Sequence, residues 1–271
     1  MKDLTKFKNW LLLCDLSKNT ISAYMERLTT FFNHYEEFNQ ENMDEFLISI
    51  LNKNLAKSTF NGYRNAFIKY GKFIKSDIEF PKNKIPNKEL RPYIKEEQLE
   101  ELIKKMHWMV KEPDKYKALC SLMFYSGLRI EEVVKLKRKD INLEEKTVFV
   151  KESKGKESRI CPITKETVTL LKIYYLVDTE NINAFNTNSS SVRQRFNRIG
   201  KLMNYDFPFH PHTLRHSACH FWLKHTNNNY HVVQKIMGHK DIQTIILYSK
   251  ITNSEAMEII KDALKKKKEN N

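Results

Sequence analysis

A chain of 271 residues is longer than one hydrophobic core usually serves, so its length favours two domains. Hydrophobic residues make up 41% and charged residues 30%, which excludes a disordered chain, and no uncharged apolar run reaches the roughly 18 residues of a membrane-spanning helix. Charges among the first apolar residues are unlike a secretory signal, so we expect a soluble, cytoplasmic protein with no membrane partner.

The net charge of +14 suggests a polyanionic partner, because lysine and arginine release counterions condensed on a nucleic acid. Residues 1–90 hold 14 Lys and Arg against 11 Asp and Glu, and residues 91–271 contribute +11 of the net charge. A basic surface without a partner has the same composition, so charge alone does not decide. The four cysteines form no CxxC pair, so neither a disulfide framework nor a thiolate metal site is predicted.

The first part of the chain has apolar residues at helical spacing. Residues 4–75 follow this pattern without the alternation typical of strands, which predicts about four short helices. Ser17, Asn19 and Ser58 precede such runs and are predicted N-caps, because their side chains can accept a hydrogen bond from the first helical turn.

A change of composition follows this helical part. Residues 81–92 contain three prolines and several charges with little apolar content, as interdomain linkers do. The sequence therefore predicts an N-terminal domain at 1–80 and a second domain at 93–271.

The second part begins with two helical patterns, and Gly127 is predicted to close the second as a left-handed C-cap. Residues 147–163 then alternate like two strands around a Lys-Gly turn, which predicts a β-hairpin. Helical spacing returns after it. The predicted fold class is mainly α, with a helical N-terminal domain and a mostly helical second domain that contains a small antiparallel β-hairpin or sheet.

One predicted helix start has the features of an anion site. Pro211 suits the first helical position, which places His212 and Arg215 three residues apart on one face of the first turns. Backbone N–H groups, the positive helix end, a guanidinium and an imidazole would converge on a phosphate there. His-x-x-Arg pairs are also common surface residues, so the pair alone is a weak signal.

The same helix contains His212, His216 and His220, a four-residue spacing also found in metal sites. No nearby carboxylate completes such a site, and the helix must bury some of these histidines together with its apolar residues. We therefore predict no bound metal.

Two polar residues follow Gly127. Arg129 is predicted near the start of a helix with Glu132 one turn later on the same face. Glu132 would either orient the guanidinium or form an ordinary surface ion pair, and the segment alone favours the surface pair.

Near the end of the chain, Gly238 is a predicted C-cap and Asp241 a predicted N-cap, with His239 on the turn between them. Tyr248 lies about two turns into the next helix. Taken alone, a tyrosine at such a position is ordinarily a packing residue.

Position in a series changes that interpretation. The segments occur in the order GLRIEE, SKGKESRICP, HPHTLRHS, MGHK and ILYSK. This series resembles the tyrosine recombinase, or phage integrase, family over residues 93–250. Within the family it is most similar to Xer-type recombinases and short mobile-element integrases. The N-terminal part resembles the family's helical, SAM-like core DNA-binding domain.

The resemblance implies a role for each matching residue. Tyr248 would be the nucleophile, Arg129 and Arg215 would hold the non-bridging oxygens of the scissile phosphate, and Glu132 would support them. A phenol with a pKa of about 10 needs a base and nearby positive charge. The arginines would also stabilise the added negative charge of the pentavalent transition state.

His212 would assist proton transfer at the tyrosine, and His239 would hydrogen-bond the phosphate. Lys154 matches the family's general acid for the departing 5′ hydroxyl, since it directly precedes Gly155 in the hairpin turn, and Lys156 is the alternative. The implied recombinase needs no metal or other cofactor, because the lysine protonates the leaving oxygen. It needs no ATP, because the phosphotyrosine bond retains the energy of the broken phosphodiester.

The implied partners are double-stranded DNA with a specific core site and further copies of the chain. The segment after Tyr248 has the pattern of an amphipathic helix, which in the family packs into a neighbouring subunit and links four protomers. It could instead fold back on its own domain.

Four functions remain open at this point. A Xer-like role in resolving chromosome or plasmid dimers is slightly favoured over integration of a phage or mobile element. A type IB topoisomerase and a DNA-binding relative that no longer cuts are the more distant alternatives.

Overall fold

The computed structural model describes the following residues: 4–53, 55, 57–80, 91–151, 158–239 and 241–246. The chain divides into two compact units, Met1–Pro86 and Asn87–Asn271. Most of the predicted linker, residues 81–90, lies outside the described residues. No helix in the described ranges is both long and apolar enough to cross a membrane.

The first unit contains helices at the predicted spacing. They are α1 (Leu4–Leu13), α2 (Lys18–Phe32), α3 (Gln40–Asn52) and α4 (Lys57–Ile74). Ser17 is the N-cap of α2 as predicted, and its Oγ accepts from the backbone N–H of Thr20 at 3.2 Å. The other two predicted caps are wrong: Asn19 lies inside α2 and Ser58 inside α4, because each helix begins before them.

Aromatic rings form the core of the first unit. Phe7, Phe31 and Phe67 are fully buried. The ring of Phe31 meets that of Phe67 edge to face with centroids 5.0 Å apart, and that of Phe46 at 5.4 Å. Such pairs add about 0.5–1.5 kcal/mol each to the free energy gained by burial. The four helices therefore share one core.

The second unit is mostly helical and contains one small sheet, so the predicted fold class is confirmed. Its helices are α5 (Glu96–Met109), α6 (Pro113–Ser126), α7 (Ile130–Val133), α8 (Lys165–Val177), α9 (Ser189–Leu202), α10 (Pro211–His225), α11 (Tyr230–Met237) and α12 (Gln243–Ile246). A short 3-10 turn, Arg138–Asp140, leads into the sheet.

The sheet has three antiparallel strands in the order β1 (Ile141–Asn142), β2 (Thr147–Val150) and β3 (Arg159–Pro162). The predicted hairpin is present as β2 and β3, with Val148 opposite Cys161 and Val150 opposite Arg159. Strand β1 was not predicted, because two residues are too few to show alternation.

Helix α6 is the centre of the second unit and packs against α5, α8 and α10. It ends at Gly127, which has a φ of +63° and is the predicted left-handed C-cap. A Cβ on Gly127 would lie 2.5 Å from Sδ of Met237, at the end of α11. Only glycine therefore allows the ends of α6 and α11 to approach this closely.

Helix α10 is fixed by the segment that precedes α5. The backbone N–H of Ile94 donates to Oγ of Ser217 at 2.9 Å, and the ring of Tyr93 stacks on that of His220 with centroids 3.8 Å apart. These contacts hold the middle of α10, two and five residues beyond Arg215.

Candidate active site

Helix α10 begins at the predicted residue. Pro211 is its first residue, and His210 is the N-cap, whose Nδ1 accepts from the backbone N–H of Thr213 at 3.2 Å. His212 is exposed on the first turn, whereas Arg215 is buried with 4% of its surface exposed. A buried arginine needs partners, and those of Arg215 lie on other helices.

Arg215 joins the ends of α6 and α11. Its Nη1 donates to the carbonyl oxygen of Gly127, and its Nη2 donates to that of Met237 at 2.5 Å. These two hydrogen bonds fix the plane of the guanidinium. The candidate site therefore starts from a rigid arginine between three helices.

Arg129 is the N-cap of α7 and is oriented by Glu132. The backbone N–H and the Nη1 of Arg129 donate to the two oxygens of Glu132 at 2.7 and 2.8 Å. Nη2 donates to the carbonyl oxygen of Gly238 at 3.0 Å. The side chain of Glu132 is 15% exposed and that of Arg129 27%, so the pair is not the ordinary surface ion pair that the segment alone favoured.

Sequence reasoning missed a third arginine, Arg159 on β3. Its Nη1 and Nη2 donate to the two oxygens of Glu132 at 3.1 and 2.7 Å, and its Nε donates to the carbonyl oxygen of Ile236 at 3.1 Å. Each oxygen of Glu132 thus accepts one bond from Arg129 and one from Arg159. The available signal was strand alternation, which puts Arg159 on the same face as the buried Cys161.

Three consecutive carbonyl groups at the end of α11 accept bonds from these arginines. The oxygen of Ile236 accepts from Arg159, that of Met237 from Arg215 and that of Gly238 from Arg129. Cations at a helix C-terminus are favourable because its carbonyl dipoles point outward. The arrangement brings all three guanidinium groups to one helix end.

The turn after α11 places the predicted His239 beside this helix end. Gly238 is the C-cap with a φ of +59°, as predicted. The backbone N–H of His239 donates to the carbonyl oxygen of Gln234 at 3.3 Å, and Nε2 of Gln234 donates back to the carbonyl oxygen of His239 at 3.1 Å. Further along, Oδ1 of Asp241 accepts from the N–H of Gln243, the first residue of α12, at 2.9 Å, so Asp241 lies one residue before the cap position that was predicted for it.

Burial and the nearby arginines shift the pKa values of Glu132 and His212. Burial raises the pKa of Glu132, but the hydrogen bond and positive charge of Arg159, reinforced by Arg129, outweigh burial and lower it to about 2. Partial desolvation, followed by the positive charge of Arg215, lowers the pKa of His212 below 6.5. Glu132 is therefore ionised and His212 neutral near pH 7, so His212 can accept a proton.

The other histidines of α10 have structural positions. His216 is buried, and burial together with the charge of Arg91 lowers its pKa to about 3. His220 stacks on Tyr93. No group of three His, Cys, Asp or Glu side chains in the described part of the chain is arranged to hold a metal ion.

The structure thus brings Arg129, Glu132, Arg215 and the turn of His239 together, with His212 on the exposed first turn of α10. The remaining predicted residues, Lys154, Lys156 and Tyr248, lie outside the described residues, as does the segment that follows Tyr248.

Comparison with known proteins identifies the class. The model of the phage integrase family matches residues 92–255. The chain belongs to this family, and it is an enzyme of the tyrosine recombinase class. The family predicted from the motif series is therefore confirmed.

Relatives match over nearly the whole chain. The tyrosine recombinase XerA of Pyrococcus horikoshii is 26% identical over 272 residues, which cover 96% of this chain and 93% of that protein. A tyrosine recombinase of Thermosipho africanus is 26% identical over 267 residues, 90% of this chain and 93% of that protein.

Solved structures share the fold. A XerA recombinase aligns with a TM-score of 0.57 and 21% identity over 96% of this chain and 97% of its own. A lambda integrase dimer bound to a COC′ core site aligns with a TM-score of 0.71 and 14% identity over 90% of this chain and 75% of its own.

Proposed function

We propose that this enzyme is a site-specific recombinase that cleaves and rejoins DNA strands through a 3′-phosphotyrosine at Tyr248. The observation that supports this most strongly is the convergence of Arg129 and Arg215 on the end of α11, next to His239. Two rigid guanidinium groups beside an imidazole suit a phosphodiester better than any neutral substrate.

The proposed cleavage step is an in-line displacement at phosphorus. The phenolic oxygen of Tyr248 bonds to the scissile phosphorus while its proton passes to His212, and the bond from phosphorus to the 5′ oxygen breaks. The leaving oxygen takes a proton from Lys154, or from Lys156 if that residue is the acid. Rejoining reverses the step with the 5′ hydroxyl of another strand as the nucleophile.

Positive charge at the phosphate is the main contribution of the described residues. The transition state gains a negative charge on the non-bridging oxygens, and Arg129 and Arg215 are oriented before the DNA binds. Donors fixed in this way need no reorganisation during the reaction. Glu132 holds Arg129, and His239 is proposed to donate to a phosphate oxygen.

Neither a metal nor ATP is required in this proposal. Protonation of the leaving oxygen replaces a Lewis acid, and the new phosphotyrosine ester conserves the energy of the broken phosphodiester. A positioned acid contributes roughly a factor of 10² to 10⁴ to such a step.

Duplex DNA with a specific core site is the proposed substrate. Helix α9 contains Arg193, Arg195, Arg198 and Lys201 and no acidic residue. Arg198 and Lys201 are exposed, while Arg193 pairs with Glu131 at 2.9 Å. Such a face neutralises backbone phosphates. We further propose that residues 1–80 form a core DNA-binding domain, which residues 81–92 join to the catalytic domain at 93–271.

The subclass that we propose is Xer-like. The full-length similarity to XerA relatives supports resolution of chromosome or plasmid dimers. The alternative is integration of a mobile element, because a Tn1549 transposon integrase in complex with circular intermediate DNA also shares the fold, with a TM-score of 0.70 and 16% identity. Assembly as a tetramer through the segment after Tyr248 remains part of the proposal.

The test is adduct formation in EDTA. A nicked duplex from the protein's own genomic junction is incubated with the enzyme, and an SDS-resistant protein–DNA adduct is expected. Tyr248→Phe should abolish the adduct and keep DNA binding, whereas the control Tyr230→Phe should retain both. Binding without any adduct would instead support a DNA-binding relative that no longer cuts, and relaxation of plasmids without a specific site would support a topoisomerase.

A further inference from the structure

Arg159 has no role in the proposed cleavage step, although it contacts the residues that hold Arg129. It is 8% exposed and lies on β3, apart in sequence from the helices that hold the other arginines. Its guanidinium pairs with both oxygens of Glu132 and reaches the carbonyl oxygen of Ile236. An arginine buried this deeply costs desolvation energy, which its charged partner must offset.

The charges of the cluster reveal what Arg159 changes. In the proposed reaction Arg129 and Arg215 hold the phosphate, and an oxygen of Glu132 lies 2.8 Å from Nη1 of Arg129. Without another cation, the carboxylate would cancel much of the field of Arg129 at the phosphate, because Coulomb interactions are strong in a half-buried site. Arg159 pairs with the same carboxylate at 2.7 Å and so offsets its charge.

We propose that Arg159 is a positioning residue that neutralises Glu132, so that Glu132 orients Arg129 without reducing the positive charge presented to the scissile phosphate. This inference rests on the proposed recombinase function. The three arginines and Glu132 together carry a net charge of two, which matches a phosphodiester in its doubly charged transition state. Loss of Arg159 leaves a net charge of one.

The geometry gives Arg159 a second positioning effect. Its Nε bond to Ile236 and its packing against Gly238, where an added Cβ would lie 3.1 Å from the guanidinium carbon, hold the turn before His239. Displacement of such a turn by about 1 Å can cost 10²-fold in rate. The position of the turn before His239 and the neutralisation of Glu132 thus both depend on Arg159.

The experiment compares two substrates in single-turnover cleavage. One nicked duplex has an ordinary scissile phosphate, and the other has a methylphosphonate there, which removes one negative charge from the ground state and the transition state. Arg159→Gln should slow cleavage of the phosphate by about 10²-fold. It should slow cleavage of the methylphosphonate by only about tenfold. Arg159→Lys keeps the charge but loses the bond to Ile236, so it should recover part of the rate on the phosphate.

A double variant separates charge from packing. Glu132→Gln combined with Arg159→Gln restores the net charge of two, so the double variant should cleave the phosphate faster than Arg159→Gln alone. A side chain that only stabilises the fold would not produce this reversal. Arg138→Gln is the matched control, since Arg138 also pairs with a carboxylate, Asp178, and donates to backbone carbonyls away from the site.

Three outcomes would overturn the inference or its basis. If Arg159→Gln cleaves the phosphate at the wild-type rate, Arg159 has no positioning role. If Arg159→Gln slows both substrates equally and the double variant is slower still, its role is only structural, which thermal denaturation beside Arg138→Gln would confirm. If the wild-type enzyme forms no adduct with the phosphate duplex, the proposed function itself fails.

Discussion

Nη2 of Arg129 donates to the carbonyl oxygen of Gly238 at 3.0 Å, which ties a candidate phosphate-binding residue to the residue directly before His239. Arg129 lies at the start of α7 and Gly238 at the end of α11, 109 residues apart in sequence. A substitution at Arg129 or at Gly238 therefore disturbs both the phosphate-binding arginine and the turn of His239.

Arg129→Lys should impair cleavage far more than DNA binding. Lysine keeps the positive charge but loses the planar fork that reaches Glu132, Gly238 and a phosphate together. We expect the single-turnover cleavage rate to fall by about 10²–10³-fold, as for loss of one transition-state donor. Fluorescence anisotropy with the same duplex measures affinity. Equal losses for Arg129→Lys and the control Arg138→Lys would contradict the assignment.

Gly238→Ala should reduce both stability and cleavage. A side chain at a φ of +59° costs roughly 1–2 kcal/mol, and the new Cβ would lie 3.1 Å from atoms of Arg159. Urea denaturation measures the first effect and adduct formation the second. Asn204→Ala is the control, because Asn204 has a φ of 53° in a turn away from the site. That variant should lose stability with unchanged cleavage, and a Gly238→Ala enzyme with full activity would argue against a rigid turn.

The buried His216 should make the protein sensitive to mild acid. Burial and the positive charge of Arg91 lower the pKa of His216 to about 3 in the folded state, from 6.5 in the unfolded chain. The unfolded chain therefore binds the proton first as pH falls, and the free energy of unfolding decreases through that window by about 1.4 kcal/mol per pH unit. Urea midpoints at about pH 7 and about pH 5.5 measure the loss.

Substitution of His216 tests the origin of that loss. His216→Gln should flatten the dependence between these two pH values, whereas His225→Gln, at the exposed end of the same helix, should leave it unchanged. An unaltered slope in His216→Gln would assign the acid sensitivity to other groups. Glu132 acts in a lower window, since its stabilisation is lost only as pH falls from 4.5 towards about 2.

The exposed face of α9 should contribute to DNA affinity through charge. Arg198 is exposed there and contributes one of the helix's four positive charges. Arg198→Gln should weaken binding to all sequences alike and reduce the slope of log affinity against log salt by about 1. Lys172→Gln, on the exposed side of α8, is the control and should leave the slope unchanged. A loss confined to one core sequence would instead indicate base contacts by Arg198.

Much of the fold and site followed from local patterns in the sequence. Left-handed caps at Gly127 and Gly238 and the proline that starts α10 were predictable, because each depends on backbone conformation within a few residues. The order of motifs then connected Arg129 with Arg215, although no spacing rule places them together. The predicted roles of Lys154 and Tyr248 stay predictions.

The missed features depend on contacts distant in sequence. Arg159 meets Glu132 across 27 residues, and helical spacing rules detect only pairs three or four residues apart. A charged residue on the buried face of a strand was the one local sign that a partner exists. Wrong caps at Asn19 and Ser58 have the opposite cause, since local preference there was overridden by helices that begin earlier.

Strand register makes the contacts of Arg159 with Glu132 sensitive to small length changes in β3. Along β3 the buried Arg159 and Cys161 alternate with Ile160, which is 65% exposed. Deletion of a single residue between Arg159 and Pro162 would reverse that alternation and turn the guanidinium of Arg159 outward, away from Glu132. The number of residues in β3 is therefore constrained by an ion pair as well as by the sheet, whereas the exposed side chain of Ile160 can change without moving Arg159.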